Sequence, residues 1–184
     1  MAEHVCPVWV GHLLASPVRK LFQNPRKILG PYVREGMTVL DVGCAMGFFS
    51  LPLAQMVGET GRVVCVDVQQ PMLDALRRRA RKAGYVDRID PHLCSPDSLG
   101  LDHMNGTVDF TLASAVVHET PDPARFFSEI HALLKPGGRL LVSEPRAHVS
   151  QRAFRDTLAC ARQHGFTLAH ESRVWSARAA LLER

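Results

Sequence analysis

Asp41 stands at the end of a strand-like run, TVLD, and is followed by VGCAMGFFS, in which Gly43, Ala45 and Gly47 alternate with larger side chains. Small residues at a strand-to-helix turn let main chain approach a ligand closely. A second acid, Asp67, closes the next strand-like run, RVVCVD. Further along, His118 and Glu119 follow VDFTLASAVV, and Glu144, Arg146 and His148 lie at the end of RLLVSE and just beyond it. The first set has the makings of a ligand grip. The second has the makings of proton transfer, because an imidazole gives and takes protons near neutral pH.

The glycine loop does not suit a phosphate. Read from Gly43, the dinucleotide pattern G-x-G-x-x-G meets Ala45 at its second glycine and Phe48 at its third. Phe48 denies the helix the close approach that the third glycine provides. The P-loop pattern fails as well, since Gly43 and Gly47 are too close and no lysine follows. Asp41 repels a phosphate and suits an ammonium group. A carboxylate at Asp67 accepts from both hydroxyls of a ribose. A ligand with a ribose and a cationic end meets these demands, and S-adenosylmethionine is one.

These residues need a frame. Strand-like runs at MTVLDV, RVVCVDV, RIDPHLC, VDFTLASAVV and RLLVSE alternate with helix-like segments. The helices are FFSLPLAQMVG, the stretch from Pro71 to Gly84, DPARFFSEIHALL stopped by KPGG, and SQRAFRDTLACARQHG closed by Gly165. Proline in a first turn and glycine after a last one mark such boundaries. The alternation predicts a parallel sheet covered on both faces. FTLAHE and VWSARAALLE close the chain as an antiparallel hairpin with a tight turn. Residues 1–35 carry Pro7, Pro17, Pro25 and Pro31, with short helices expected over 9–15 and 17–23.

The length of 184 residues suits one domain over 1–184, with an N-terminal helical extension at 1–35 and a cofactor-binding core at 36–184. No apolar run approaches a membrane span, and no secretory signal opens the chain. Cys6, Cys44, Cys65, Cys94 and Cys160 are scattered and odd in number, which reads as reduced thiols of a cytoplasmic protein. A net charge of +4 is mild for a nucleic-acid binder. The basic cluster RRRARK at 77–82 lies opposite Met72, Leu73, Leu76 and Ala80 at helical spacing, a solvated helix face.

Taken together, VLDVGCAMG, CVDVQQPML and the run from VDFTLAS to LLVSEP with its LKPGG turn resemble the class I S-adenosylmethionine-dependent methyltransferases. The resemblance covers residues 37–145 well and the rest loosely. It implies a Rossmann-like three-layer α/β sandwich, with a seven-stranded, mostly parallel sheet and an antiparallel C-terminal hairpin. It implies S-adenosylmethionine as cofactor and S-adenosylhomocysteine as product. Gly43, Cys44, Ala45 and Gly47 would line the methionine and ribose part. Asp41 would face the amino end and Asp67 the ribose. Val68 and Met72 would pack on the adenine, Ser95 would accept from its amine, and the backbone of Ala113 and Ser114 would face the methionine moiety. Two departures stand out. Ala45 replaces the middle glycine of the loop, which fits if its φ is negative. Pro96 stands where relatives use a backbone N–H toward the adenine.

His118 and Glu119 are the candidate catalytic pair, with His118 either a general base or a cap on the loop before Pro121. No metal is expected, since His4, Cys6 and His12 match no zinc spacing. The expected acceptor is a small molecule, with a protein acceptor second and nucleic acid disfavoured. Trp9, His12, Leu13, Phe22 and Tyr32 of the N-terminal segment would close over it, pack on the sheet or pair two copies. A binding module without chemistry is the alternative class. An oxidoreductase is argued against by the failed dinucleotide pattern.

Overall fold

A computed structural model of the chain describes residues 23–174 and 177–184. The helix expected over 9–15, and that over 17–23 apart from Gln23, lie outside these residues, as do Cys6, the His4–Cys6–His12 group, Trp9, Leu13 and Phe22. The turn of the closing hairpin lies outside them too.

The elements run α1 (Pro25–Leu29), β1 (Thr38–Val42), α2 (Ser50–Met56), β2 (Arg62–Asp67), α3 (Gln70–Ala83), β3 (Ile89–Leu93), β4 (Val108–Ser114), α4 (Pro123–Leu133), β5 (Leu134–Pro145), α5 (Gln151–Gln163), β6 (Thr167–Val174) and β7 (Ala177–Glu183). Short 3₁₀ turns at Asp102–Met104 and Val117–Glu119 flank β4. The seven strands lie in the order β3-β2-β1-β4-β5-β7-β6. The first five are parallel, and β7 pairs antiparallel with both β5 and β6. The expected three-layer sheet is the one observed.

Strand alternation divides the core. Leu40, Val42, Val64, Val66, Leu140 and Val142 pack toward α4 and α5 with Phe127, Ile130 and Phe154. Val39, Cys65, Phe110, Leu112 and Leu141 pack the other way, with Leu53 of α2 and Leu73 and Leu76 of α3. Strands buried on both faces read as near-continuous apolar runs, which is why the sequence shows them clearly.

Local signals act where expected. Gly84 ends α3 with φ +75, and its N–H bonds the carbonyls of Ala80 and Arg81. Asp122 caps α4 by accepting from the N–H of Arg125, and Ser150 caps α5 by accepting from that of Ala153. Among the boundaries that differ, three lie in the second half of the chain. β4 stops at Ser114 rather than Val117, because Ala115 takes φ +58 and leaves the strand region. β5 begins at Leu134 and carries the KPGG turn as an irregularity in its register with β4. β6 runs on to Val174, taking the first residue of the expected last strand.

The order reverses between β1 and β4. Ligands in such sheets bind beyond the carboxyl ends of the strands at that point. Tyr32 lies elsewhere: it stacks on Phe110 at 5.9 Å and its hydroxyl meets Nε2 of His170 at 3.1 Å. Of the roles open to the N-terminal segment, Tyr32 packs on the sheet.

Candidate active site

A cavity of about 450 Å³ opens over the carboxyl ends of β1, β2 and β4. Residues 41–46 form one wall, Asp67, Val68 and Met72 the next, residues 94–99 a third, and Ser114 to Val116 with His118, Glu119 and His148 the last.

The loop after β1 is tied at nearly every peptide. The N–H groups of Gly43 and Cys44 both bond the carbonyl of Val66, at 2.9 and 3.1 Å. The Ala45 N–H bonds Oδ2 of Asp67 at 2.9 Å. The Arg79 guanidinium of α3 donates to the Met46 carbonyl. Gly43 has φ +68, and a Cβ there would sit 2.9 Å from Cγ2 of Val116. Gly47 has φ +82, and a Cβ there would strike Cδ1 of Leu76. Glycine at 43 lets the loop meet the segment after β4. Glycine at 47 lets α3 close on the loop.

Ala45 does not meet the condition under which its methyl group fits freely. Its φ is +45, in the left-handed region, where a methyl group is disfavoured. The conformation of the absent glycine is kept, and the alanine bears the strain.

Asp67 is 8 % exposed. Its Oδ1 accepts from the Gln69 N–H at 2.9 Å, while Oδ2 holds Ala45. Each oxygen keeps a lone pair for a hydroxyl. Burial raises its pKa, and the backbone donors oppose that rise. Asp41 is deeper still. Burial raises its carboxyl to about 7, against the hydroxyl of Ser50, which donates to Oδ2 at 2.6 Å. A cation in the cavity would draw Asp41 back to its ionised form.

The other expected binding residues divide. Val68, Met72 and Ser114 line the cavity. Ser95 does so with its hydroxyl already engaged, accepting from the Ser98 N–H at 3.1 Å. Pro96, Asp97 and Ser98 complete that wall. Ala113 does not line the cavity; it lies inside β4, paired to Val42 and Val142. Ala115 and Val116 take the place expected of it. Cys44 also lines the wall, but burial holds its thiol well above the usual range, and Cys94 is raised to about 11 by the same cause. Neither is an activated nucleophile.

A polar constellation forms the last wall. Register pairs Ser114 of β4 with Ser143 of β5, so Glu144 lies beside the turn that carries His118. Glu144 is 1 % exposed. Its Oε1 accepts from the Val117 N–H at 2.9 Å, and its Oε2 meets Nδ1 of His118. Burial pushes the Glu144 carboxyl up, and His118 with the Val117 N–H pulls it back. As a carboxylate Glu144 only accepts, so Nδ1 carries a hydrogen; in the neutral ring that leaves the lone pair on Nε2. Glu119 Oε1 stands 3.9 Å from Nε2, and the His148 ring packs edge-on against His118 at 5.8 Å. Burial raises the Glu119 carboxyl. Arg146 turns away, donating from Nε to the carbonyl of Ala177 at 3.2 Å. The sequence placed Glu144 and His148 after their strand, but the bond to His118 joins residues 26 apart and has no local signature.

No group of three or more His, Cys, Asp or Glu among the described residues is arranged to hold a metal. No helix among them is long and apolar enough to cross a membrane. The residues present do fit S-adenosylmethionine. Glycine at 43 and 47 leaves the loop wall low, Asp67 has acceptors to spare, and Asp41 suits an ammonium group.

A family model described as a methyltransferase domain matches residues 33–174. The chain is 35 % identical over 112 residues to the ubiquinone/menaquinone biosynthesis C-methyltransferase UbiE of Haemophilus ducreyi, a match covering 61 % of this chain and 42 % of that enzyme. The match thus takes in less than half the length of that relative. A SAM-dependent methyltransferase from Aquifex aeolicus superposes with a TM-score of 0.86 at 25 % identity, over 97 % of this chain and 98 % of that one. The [4+2]-cyclase SpnF superposes with a TM-score of 0.70 at 23 % identity, over 82 % of this chain and 60 % of that one. The last likeness is one of fold.

Proposed function

This chain belongs to the methyltransferase-domain family, of the class I S-adenosylmethionine-dependent type, and from that premise we propose that it methylates a small-molecule acceptor with His118 as general base. The carrying observation is the Glu144–His118 pair at the cavity wall, which in the neutral ring turns the Nε2 lone pair toward an acceptor.

When bound, S-adenosylmethionine supplies an electrophilic methyl group on a sulfonium. Asp67 and the loop from Gly43 to Gly47 would hold the cofactor's ribose and methionine parts, with Asp41 toward its amino end. Val116 packs over the Gly43 backbone and helps exclude water from the cavity. His118 Nε2 takes the acceptor's proton, and the buried Glu144 offsets the charge that arrives on the ring. Alignment supplies much of the rest.

Calorimetric titration with S-adenosylmethionine and S-adenosylhomocysteine tests the cofactor half, on wild type and Asp67→Ala. Binding by the wild type and loss in the variant support it. Absence of binding by the wild type withdraws the enzyme assignment. His118→Ala tests the other half: lost turnover with cofactor affinity intact supports the base, and unchanged turnover removes it.

A further inference from the structure

Granted that the cavity is a methyl-transfer site, we infer that its acceptor is a primary or secondary amine that arrives protonated and is seated between Glu119 and His118. The two side chains line the same wall. Glu119 Oε1 and His118 Nε2 stand 3.9 Å apart, too far for a direct hydrogen bond. The Glu119 side chain is 32 % exposed, and among the described residues no group donates a hydrogen bond to it. A carboxylate stripped of most of its water wants a donor. So does Nε2 of the neutral ring, in which the Glu144 carboxylate takes the Nδ1 hydrogen.

One group with two N–H hydrogens satisfies both acceptors. A protonated primary or secondary amine has them. A hydroxyl has a single hydrogen and leaves Glu119 or His118 unpaired. A carboxylate or phosphate has none to give and meets Glu119 at like charge, with Asp41 and Asp67 on the walls behind. Among the described residues no lysine or arginine lines the cavity to offset that repulsion. Arg125 stands close to the wall but is paired with Glu129.

The arrangement also gives the proton a path. The ammonium N–H bond directed at His118 breaks, its electron pair becomes the amine lone pair, and the proton passes to Nε2. Glu144 carries the balancing charge behind the ring. Glu119 remains an anchor throughout and sets specificity.

The test uses the protein saturated with S-adenosylhomocysteine and three matched probes, benzylamine, benzyl alcohol and benzoate, followed by ligand-observed NMR titration. Benzylamine is expected to bind about tenfold tighter than either of the others. Glu119→Gln is expected to abolish that preference while S-adenosylhomocysteine affinity stays unchanged. Equal or better binding of the alcohol or the benzoate overturns the amine assignment, as does failure of benzylamine to bind the loaded protein. If S-adenosylhomocysteine itself does not bind, the cofactor reading fails first and the acceptor class falls with it.

Discussion

His118 and Glu144, at the ends of neighbouring parallel strands, share a hydrogen bond through Nδ1 and Oε2, while the other oxygen of Glu144 takes the N–H of Val117. One buried carboxylate thus holds both the ring and the turn that carries it. Glu144→Gln separates these duties. The amide oxygen still serves Val117, but the amide nitrogen donates to Nδ1 and moves the ring hydrogen onto Nε2. Turnover should fall by about 100-fold or more. S-adenosylhomocysteine affinity, read by calorimetry, should not change.

Asp67 is a ribose candidate that also clamps Ala45 and Gln69. Asn offers one acceptor oxygen where the carboxylate offers two. Asp67→Asn should therefore leave one backbone donor unpaired and cost the apoprotein about 1–3 kcal/mol in urea denaturation. A variant that loses cofactor affinity with unchanged apo stability would show that the clamp carries no weight.

Ala45 pays for a glycine conformation with a methyl group. Ala45→Gly relieves the left-handed strain but gains disorder in the unfolded chain. The net expected gain is about 0.5–1 kcal/mol, seen as a higher denaturation midpoint of the apoprotein.

Gly43 and Val116 meet across the switch point. Gly43→Ala adds a steric clash to a left-handed backbone and should destabilise by about 1–3 kcal/mol. Val116→Ala removes the Cγ2 contact at 2.9 Å but leaves Cβ at 3.0 Å, and it leaves the strain. The double variant should recover part of the loss, and a double-mutant cycle reads that part directly.

Asp41 makes the protein sensitive to pH. Its carboxyl is raised from 3.8 to about 7, so the folded apoprotein holds a proton that the unfolded chain has released. Its contribution to stability is complete below the unfolded value and is lost as pH rises through about 7. The apo melting temperature should fall between pH 3.8 and about 7 and level off above, and Asp41→Asn should flatten that fall. A bound ammonium favours the ionised acid, so cofactor binding should release a proton and tighten as pH approaches 7 from below. Calorimetry in buffers of different ionisation enthalpy counts that proton.

Much of this protein was determined by its sequence alone, because the relevant forces act over a few residues. Apolar runs of strand length placed β1, β2 and β4. Gly84 and Gly165 marked helix ends through the left-handed turn that side chains resist. Asp41, the small-residue loop and Asp67 lie within one strand–helix–strand unit, so their ligand chemistry was legible too. Tertiary structure decided the rest. The sign of φ at Ala45 follows from the pull of Val66, Asp67 and Arg79 on the loop. The end of β4 at Ser114 follows from the left-handed turn at Ala115 and the grip of Glu144 on Val117. The gap between Glu119 and Nε2 follows from the orientation that Glu144 gives the ring. Each depends on the register of β4 against β5 or of β1 against β2. Register is set by summed packing and hydrogen bonding over whole strands, and no short stretch of residues carries it.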